Sequence, residues 1–146
     1  HLAGMTKDVS EFIDAHRDWL PPFPPYAGEK IRVTYHDPCH LVKGQNVGVQ
    51  PRRLLKMLPT VEFVEMAEAD RCCGGGGEYQ IEYGDMSARI TDRKVENVRK
   101  TGAGFVATGC PGCNITIGAH VAKDHVKAIH TVQLIQAALD GKRPQA

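Results

Sequence analysis

The sequence lacks the features that would assign it to a membrane, an export route or a nucleic acid. It has no run of about 18 apolar residues to span a bilayer and no basic, apolar, small-residue stretch resembling a secretory signal. Its formal net charge is only +1, so charge favours neither nucleic acid nor an anionic membrane as partner. We therefore expect a cytoplasmic protein with no nucleic-acid partner and no direct insertion into a membrane.

Nucleotide-binding motifs are also missing. Residues 74–77 are all glycine, but no Lys-Ser/Thr of a P-loop follows them, and they lack the spaced glycines of a dinucleotide fingerprint. We therefore expect these glycines to let the backbone approach a bound group closely, rather than to bind a nucleotide.

Cysteine is present in an odd number. The five cysteines of this 146-residue chain are Cys39, Cys72, Cys73, Cys110 and Cys113. An odd count without an export signal argues against a disulfide framework and favours metal or redox chemistry. A domain of this length buries enough surface to fold without such a staple.

Short apolar runs alternate with helical patterns from residue 30 onward. We predict strands at 31–36, 61–66, 104–109 and 126–131, and helices at 51–58, 85–100, 114–123 and 131–139. Strands that are linked through helices run parallel, because each crossover returns the chain in the same direction. The sequence therefore predicts an α/β fold with a small, open, parallel sheet of about four strands, flanked by helices.

An amphipathic helix is predicted before this domain, at 6–20, with Thr6 as its cap. Its expected apolar face comprises Val9, Phe12, Ile13, His16, Trp19 and Leu20. The proline-rich stretch 21–25 ends it and forms an extended connector. We thus divide the chain into an amino-terminal helix with connector, 1–29, and a main domain, 30–146. The start at His1 suggests a fragment of a longer polypeptide.

All five cysteines follow the predicted strands. Parallel sheets build their ligand sites beyond the carboxyl ends of strands, so we expect the five thiols to converge on one site. Thiolates suit iron–sulfur clusters, zinc and copper(I), and five exceed the four that tetrahedral zinc uses. Pro111 is suited to the first turn of a helix whose positive end would face the thiolates.

The cysteine pattern resembles a known family. Cys39, then 32 residues, Cys72-Cys73, then 36 residues, and Cys110-Pro-Gly-Cys113 lie within the stretches YHDPCH, EADRCCG and TGCPGC. They resemble the cysteine-rich CCG domain found in heterodisulfide reductase and in the iron–sulfur subunits of glycolate oxidase, lactate utilisation and anaerobic glycerol-3-phosphate dehydrogenase systems. The resemblance implies that all five cysteines are ligands of an iron–sulfur cluster of the 4Fe-4S type. In heterodisulfide reductase such a motif holds a noncubane double cluster.

The resemblance implies an electron-transfer domain of an oxidoreductase subunit, nearest to the glycolate and lactate oxidase kind. A flavin-containing dehydrogenase subunit would pass it electrons, other iron–sulfur domains would accept them, and any membrane association would come through such partners. Because hydride transfer needs a flavin or nicotinamide, and no dinucleotide fingerprint is present, the chain is expected not to be catalytic alone. Family members carry two CCG copies, commonly after ferredoxin motifs; here there is one copy and no ferredoxin motif, as in a fragment.

Two alternatives stay open. A heterodisulfide or thiol reductase would reduce its substrate at the cluster itself. A zinc-stabilised interaction module would use four of the thiolates for zinc in place of a cluster. For the polar residues near the strand ends we expect structural roles, as hydrogen-bonded histidines (His36, His40, His130), a loop cap (Asp37) and a surface ion pair (Asp70 with Arg71).

Overall fold

A parallel sheet organises the chain in the computed structural model, which describes residues 2–145. The strands are β1 (Ile31–His36), β2 (Val61–Phe63), β3 (Phe105–Thr108) and β4 (Lys127–His130). Their order is β2-β1-β3-β4, and every neighbouring pair is parallel. The predicted α/β fold with a small open parallel sheet is confirmed. β2 is shorter than predicted, because the chain leaves the sheet after the Val64 N–H donates to the Val33 carbonyl, 2.9 Å away.

Helices precede, connect and follow the strands. They are α1 (Leu2–Met5), α2 (Val9–Ala15), α3 (Cys39–Val42), α4 (Val49–Met57), α5 (Tyr79–Glu82), α6 (Gly84–Lys100), α7 (Pro111–Val121) and α8 (Thr131–Leu139). The four helices predicted within the main domain are all present. α7 begins at Pro111 rather than at 114, since proline at N1 has the backbone angle of a helix and needs no N–H partner there. The sequence did not predict the short helices α1, α3 and α5.

Two apolar clusters pack on opposite faces of the sheet. One joins Ile31, Val33 and Tyr35 of β1 to buried residues of α4 and α8. The other joins Val106 of β3 to buried residues of α6 and α7, and it includes Cys73 and Cys113. Each fully buried aliphatic side chain contributes about 1.5–3 kcal/mol. Because side chains alternate along a strand, His36 faces the α6 and α7 side, opposite to Tyr35.

The amino-terminal helix exists, but its extent and its buried face differ from the prediction. α2 begins after Asp8, whose side chain accepts from the Ser10 N–H at 2.8 Å, and a short 3₁₀ turn follows it. The predicted apolar face is largely outward, with Phe12 49% and Trp19 73% exposed. The buried side chains are Ser10 and Asp14.

Ion pairs explain this reversal. α2 packs against α4, and Asp14 pairs there with Arg53, at 2.6 Å, as well as with Arg17 of its own segment. A buried carboxylate needs such partners, so the pairing of Asp14 determines which face of α2 is buried. The division at residue 30 stays a prediction. Within residues 2–145, no helix combines the length and apolar character that crossing a bilayer requires.

Candidate metal centre

The strand order opens a crevice at the carboxyl edge of the sheet. From β1 the chain first adds β2 on one side and then returns to add β3 on the other side. At such a switch point the loops after the two central strands diverge and leave room for a ligand. Cys39 lies in the segment after β1, and Cys110 follows β3. The topology therefore places these two thiols on opposite sides of one crevice.

A single cavity of about 270 Å³ collects all five cysteines. Its wall consists of Cys39, Cys72, Cys73, Cys110, Cys113, His36, His40 and four glycines at 75, 76, 77 and 112. Burial of the thiols is graded: Cys73 and Cys113 are buried, Cys110 is half-buried, and Cys39 and Cys72 are exposed. The structure thus brings together every cysteine that the sequence singled out. Their role as ligands stays a prediction.

The two buried thiols influence each other's ionisation. A hydrogen bond with Cys113 lowers the pKa of Cys73, and the His36 ring beside it adds to this effect in spite of burial. The same hydrogen bond, together with burial, raises the pKa of Cys113. Burial and the shared hydrogen bond thus oppose the ionisation of both thiols at once. Only a positive centre between them would let both ionise, as a bound metal does for its thiol ligands.

The turn after β3 positions its cysteines locally. Cys110 is the residue before the first turn of α7, and Pro111 occupies that turn. The Cys110 carbonyl accepts from the Asn114 N–H at 2.9 Å, so Cys113, three residues after Cys110, lies almost one helical turn away. The amino end of a helix favours negative charge. α7 therefore directs its positive end toward the cavity in which its two cysteines lie.

Side chains of α6 hold the loop that carries Cys72 and Cys73. Thr91 donates to the Cys73 carbonyl at 2.8 Å, and Ser87 donates to the Gly74 carbonyl at 2.9 Å. The Gly74 N–H lies 3.4 Å from the Cys72 sulfur. This backbone donor is available to a thiolate, and it shows how the glycines serve the site.

Lys94 fixes the start of the same loop. It is 2% exposed, and its ammonium donates to the Glu68 carbonyl and, at 3.3 Å, to the Ala69 carbonyl. Burial lowers its pKa. The Glu68 carboxylate in turn binds Arg93 and Asn97. Sequence reasoning missed these contacts, since all of them join residues about 25 positions apart.

Some expectations for the neighbouring polar residues are corrected. Asp37 is not a loop cap: it is buried and makes two hydrogen bonds to the Arg52 guanidinium, at 2.7 and 2.6 Å. Asp70 and Arg71 are both exposed, and no ion pair joins them in the described chain. Their exposure explains the difference, because water solvates both charges.

The histidines differ from one another. His130 has the expected structural role, since its Nδ1 accepts from the Val132 N–H at 3.3 Å as the cap of α8. His40 is exposed at the rim of the cavity. His36 is buried, and neither of its ring nitrogens has a hydrogen-bond partner within residues 2–145. The expectation of a hydrogen-bonded His36 is therefore wrong. The alternation of side chains along β1 is the sequence signal that could have placed this ring on the side of the cysteines.

The donor set fits an iron–sulfur cluster. Five soft sulfur donors line one cavity, an imidazole without a partner reaches the buried pair, and a glycine-rich wall brings backbone amides close. Such clusters are bound by thiolates and tuned by hydrogen bonds to sulfur. His36, Cys73 and Cys113 also place one ligand atom each within 4.8 Å of one another, a spacing that a single zinc ion could share.

Comparison with known proteins gives the family. The model of the cysteine-rich domain CCG matches residues 33–118. The chain is 36% identical to a subunit of the fumarate reductase (CoM/CoB) of Methanothermobacter marburgensis over 134 residues, which are 90% of this chain and 27% of that protein.

Two further relatives match at similar identity. The chain is 37% identical over 114 residues to the probable glycolate oxidase iron-sulfur subunit of Bacillus subtilis, covering 75% of this chain and 26% of that protein. It is 36% identical over 114 residues to a subunit of the dihydromethanophenazine:CoB–CoM heterodisulfide reductase of Methanosarcina barkeri, covering 73% and 27%. The chain thus spans about a quarter of the length of these relatives. The match of the family model, which confirms the resemblance seen in the sequence, shows that this chain belongs to the cysteine-rich CCG domain family.

Proposed function

We propose that this chain is the iron–sulfur, electron-transferring part of an oxidoreductase subunit, with Cys39, Cys72, Cys73, Cys110 and Cys113 as ligands of a 4Fe-4S-type cluster, cubane or noncubane. The observation that carries this proposal is the single cavity lined by all five cysteines. Such a cluster supplies one-electron chemistry when it is bound.

The graded burial of the thiols supports electron transfer rather than a purely structural site. Cys73 and Cys113 anchor the inner side of the cavity, whereas Cys39 and Cys72 are exposed. A partner that docks on this edge would approach the outer thiols directly. A structural zinc site, in contrast, is usually closed on all sides by its four ligands.

For the whole enzyme we propose oxidation of a hydroxy acid, such as glycolate or lactate. Here a flavin-containing dehydrogenase subunit would deliver electrons to this chain, and another iron–sulfur domain would accept them. The support is the similarity to a subunit named for glycolate oxidase. The proposed location is the cytoplasm, with any membrane attachment supplied by partner subunits.

A second candidate is reduction of a disulfide or thiol-linked substrate at the cluster. Cys72 also lines a neighbouring cavity of about 410 Å³, together with Glu68, Arg71, Ile90, Arg93, Lys94 and Asn97. Because Glu68 already binds Arg93 and Asn97, Arg71 is the cation that would hold an anionic substrate beside the Cys72 sulfur. Two of the relatives carry CoM and CoB in their names, which also favours this candidate.

Metal and sulfide analysis tests the proposal. The chain is prepared without oxygen, reconstituted with iron and sulfide, and assayed for iron, acid-labile sulfide and zinc. We expect iron and sulfide in comparable amounts and a reversible one-electron reduction, with no oxidation of glycolate or lactate by the chain alone. One zinc per chain without sulfide would instead support the zinc-stabilised module.

The two redox candidates are separated in the intact enzyme. With the matching flavin subunit, a hydroxy acid should reduce the cluster, and replacing Cys73 should stop electron flow while the flavin stays reducible. Reduction of a disulfide by the cluster, without any flavin subunit, would favour the second candidate.

A further inference from the structure

His36 is a buried side chain without a polypeptide partner. It is the last residue of β1 and is 1% exposed, and neither Nδ1 nor Nε2 makes a hydrogen bond within the described residues. A buried polar group without a partner destabilises the fold. A hydrogen-bond acceptor at the neighbouring cysteine site would remove this destabilisation.

The position of His36 points to the cysteine site. It pairs in register with Thr108, two residues before Cys110. The sheet alternation turns its ring toward α6 and α7, and one of its nitrogens lies within 4.8 Å of the sulfurs of Cys73 and Cys113. The ring also forms part of the cavity wall.

Building on the function proposed above, we propose that His36 donates a ring N–H hydrogen bond to sulfur of the cluster site and thereby raises the reduction potential. The donor role is favoured over ligation because five thiolates already exceed what four-coordinate sites use. Those thiolates also concentrate negative charge beside the ring. An N–H donor stabilises the additional negative charge of the reduced state, so His36 acts as a positioning residue through the cysteine sulfurs.

The test compares substitutions that remove or keep an N–H donor. His36→Leu removes it, whereas His36→Asn and His36→Gln place an amide N–H near the position of one ring nitrogen or the other. In His36→Leu we expect the ratio of reduced to oxidised cluster at a fixed potential to fall about tenfold, which is 59 mV for one electron. One of the two amide variants should restore the ratio, and iron content should not change.

Thr34→Val is the matched control. Thr34 lies two residues earlier on the same face of β1, is fully buried, and has a hydroxyl without a hydrogen-bond partner. It is absent from the cavity wall. Its replacement should leave the reduction potential unchanged, so that a shift seen only at position 36 belongs to the site.

Pulsed electron paramagnetic resonance of the unsubstituted chain with ¹⁵N-labelled histidine needs no variant to fold. A weak nitrogen coupling is expected for a hydrogen bond. A strong coupling, or loss of iron from a folded His36→Leu chain, would make His36 a ligand and overturn the inference. An unchanged potential in His36→Leu would overturn it while leaving the proposed function intact. Failure of the unsubstituted chain to take up iron and sulfide would overturn both.

Discussion

Two of the three cysteine-bearing segments of the site, the loops with Cys72 and Cys73 and with Cys110 and Cys113, hold their thiols by different means. Around Cys110 and Cys113 the support is local, since a strand ends, proline begins a helix, and one carbonyl accepts from a nearby N–H. Around Cys72 and Cys73 there is no regular structure, and the support comes from α6 side chains far along the chain. The difference shows that a cysteine site can depend on a helix that contributes no cysteine.

The largest expected effect is the loss of bound iron and sulfide when one thiol is replaced in either loop. This loss should be similar for the two loops, although they are supported differently. We expect Cys73→Ser and Cys113→Ser each to lose most bound iron and sulfide after reconstitution, because a serine hydroxyl is a much poorer iron ligand than a thiolate. Iron and sulfide assays, with circular dichroism as the folding control, measure this. Full iron occupancy in both variants would remove the support for these ligands.

Gly74→Ala should destabilise the protein through the loop that carries Cys72 and Cys73, which α6 supports. Gly74 has φ +89°, and a methyl group there would lie 2.6 Å from the Thr91 hydroxyl and 2.7 Å from the Ser87 carbonyl. We expect a loss of about 3 kcal/mol in the free energy of unfolding, from strain and overpacking together. Denaturant unfolding measures it.

Gly76→Ala is the control for this change. A methyl group at Gly76 would meet no atom within 4 Å, so we expect a change within about 0.5 kcal/mol. Equal losses at both positions would mean that close packing against α6 does not define the loop.

Lys94→Met should have a smaller effect of the same kind. It removes the donor to the Glu68 and Ala69 carbonyls, and unpaired buried acceptors cost about 1–3 kcal/mol. Hydrogen exchange should accelerate in residues 69–74 but not in 110–114. Lys100→Met, at an exposed position of the same helix, is the control. Equal acceleration in both loops would show that α6 supports them together.

The smallest expected effect is a pH dependence at Glu68. A hydrogen bond from Arg93, followed by one from Asn97, lowers the pKa of Glu68. A carboxylate whose pKa is lower in the folded state stabilises the fold above its ordinary pKa, and the contribution disappears as the pH falls through the folded value. Glu68→Gln should therefore differ from the unsubstituted chain near neutral pH and converge with it in acid. A stability difference that persists in acid would contradict this assignment.

The same contrast explains what the sequence could predict. The alternation of apolar runs and helices predicts the sheet, and the rule for carboxyl ends of parallel strands places all five cysteines at one edge. These signals are local or topological. The supports from Thr91 and Lys94 are pairings between distant segments, which one sequence does not reveal. The buried face of α2 was likewise missed, because the ion pair from Asp14 to Arg53 outweighs the apolar periodicity.

The graded burial of the thiols also predicts the order in which oxidants should modify them. Susceptibility to oxidation follows access as well as thiolate character, and Cys39 and Cys72 are exposed whereas Cys73 and Cys113 are buried. Oxidants should therefore reach the outer thiols first, as peptide mass spectrometry of briefly peroxide-treated protein would show by sulfenic acid at those two positions. Such damage would leave His36, Cys73 and Cys113 intact, close enough together to retain a single metal ion. Preparation in air would then convert a redox site into an inert one without unfolding the chain.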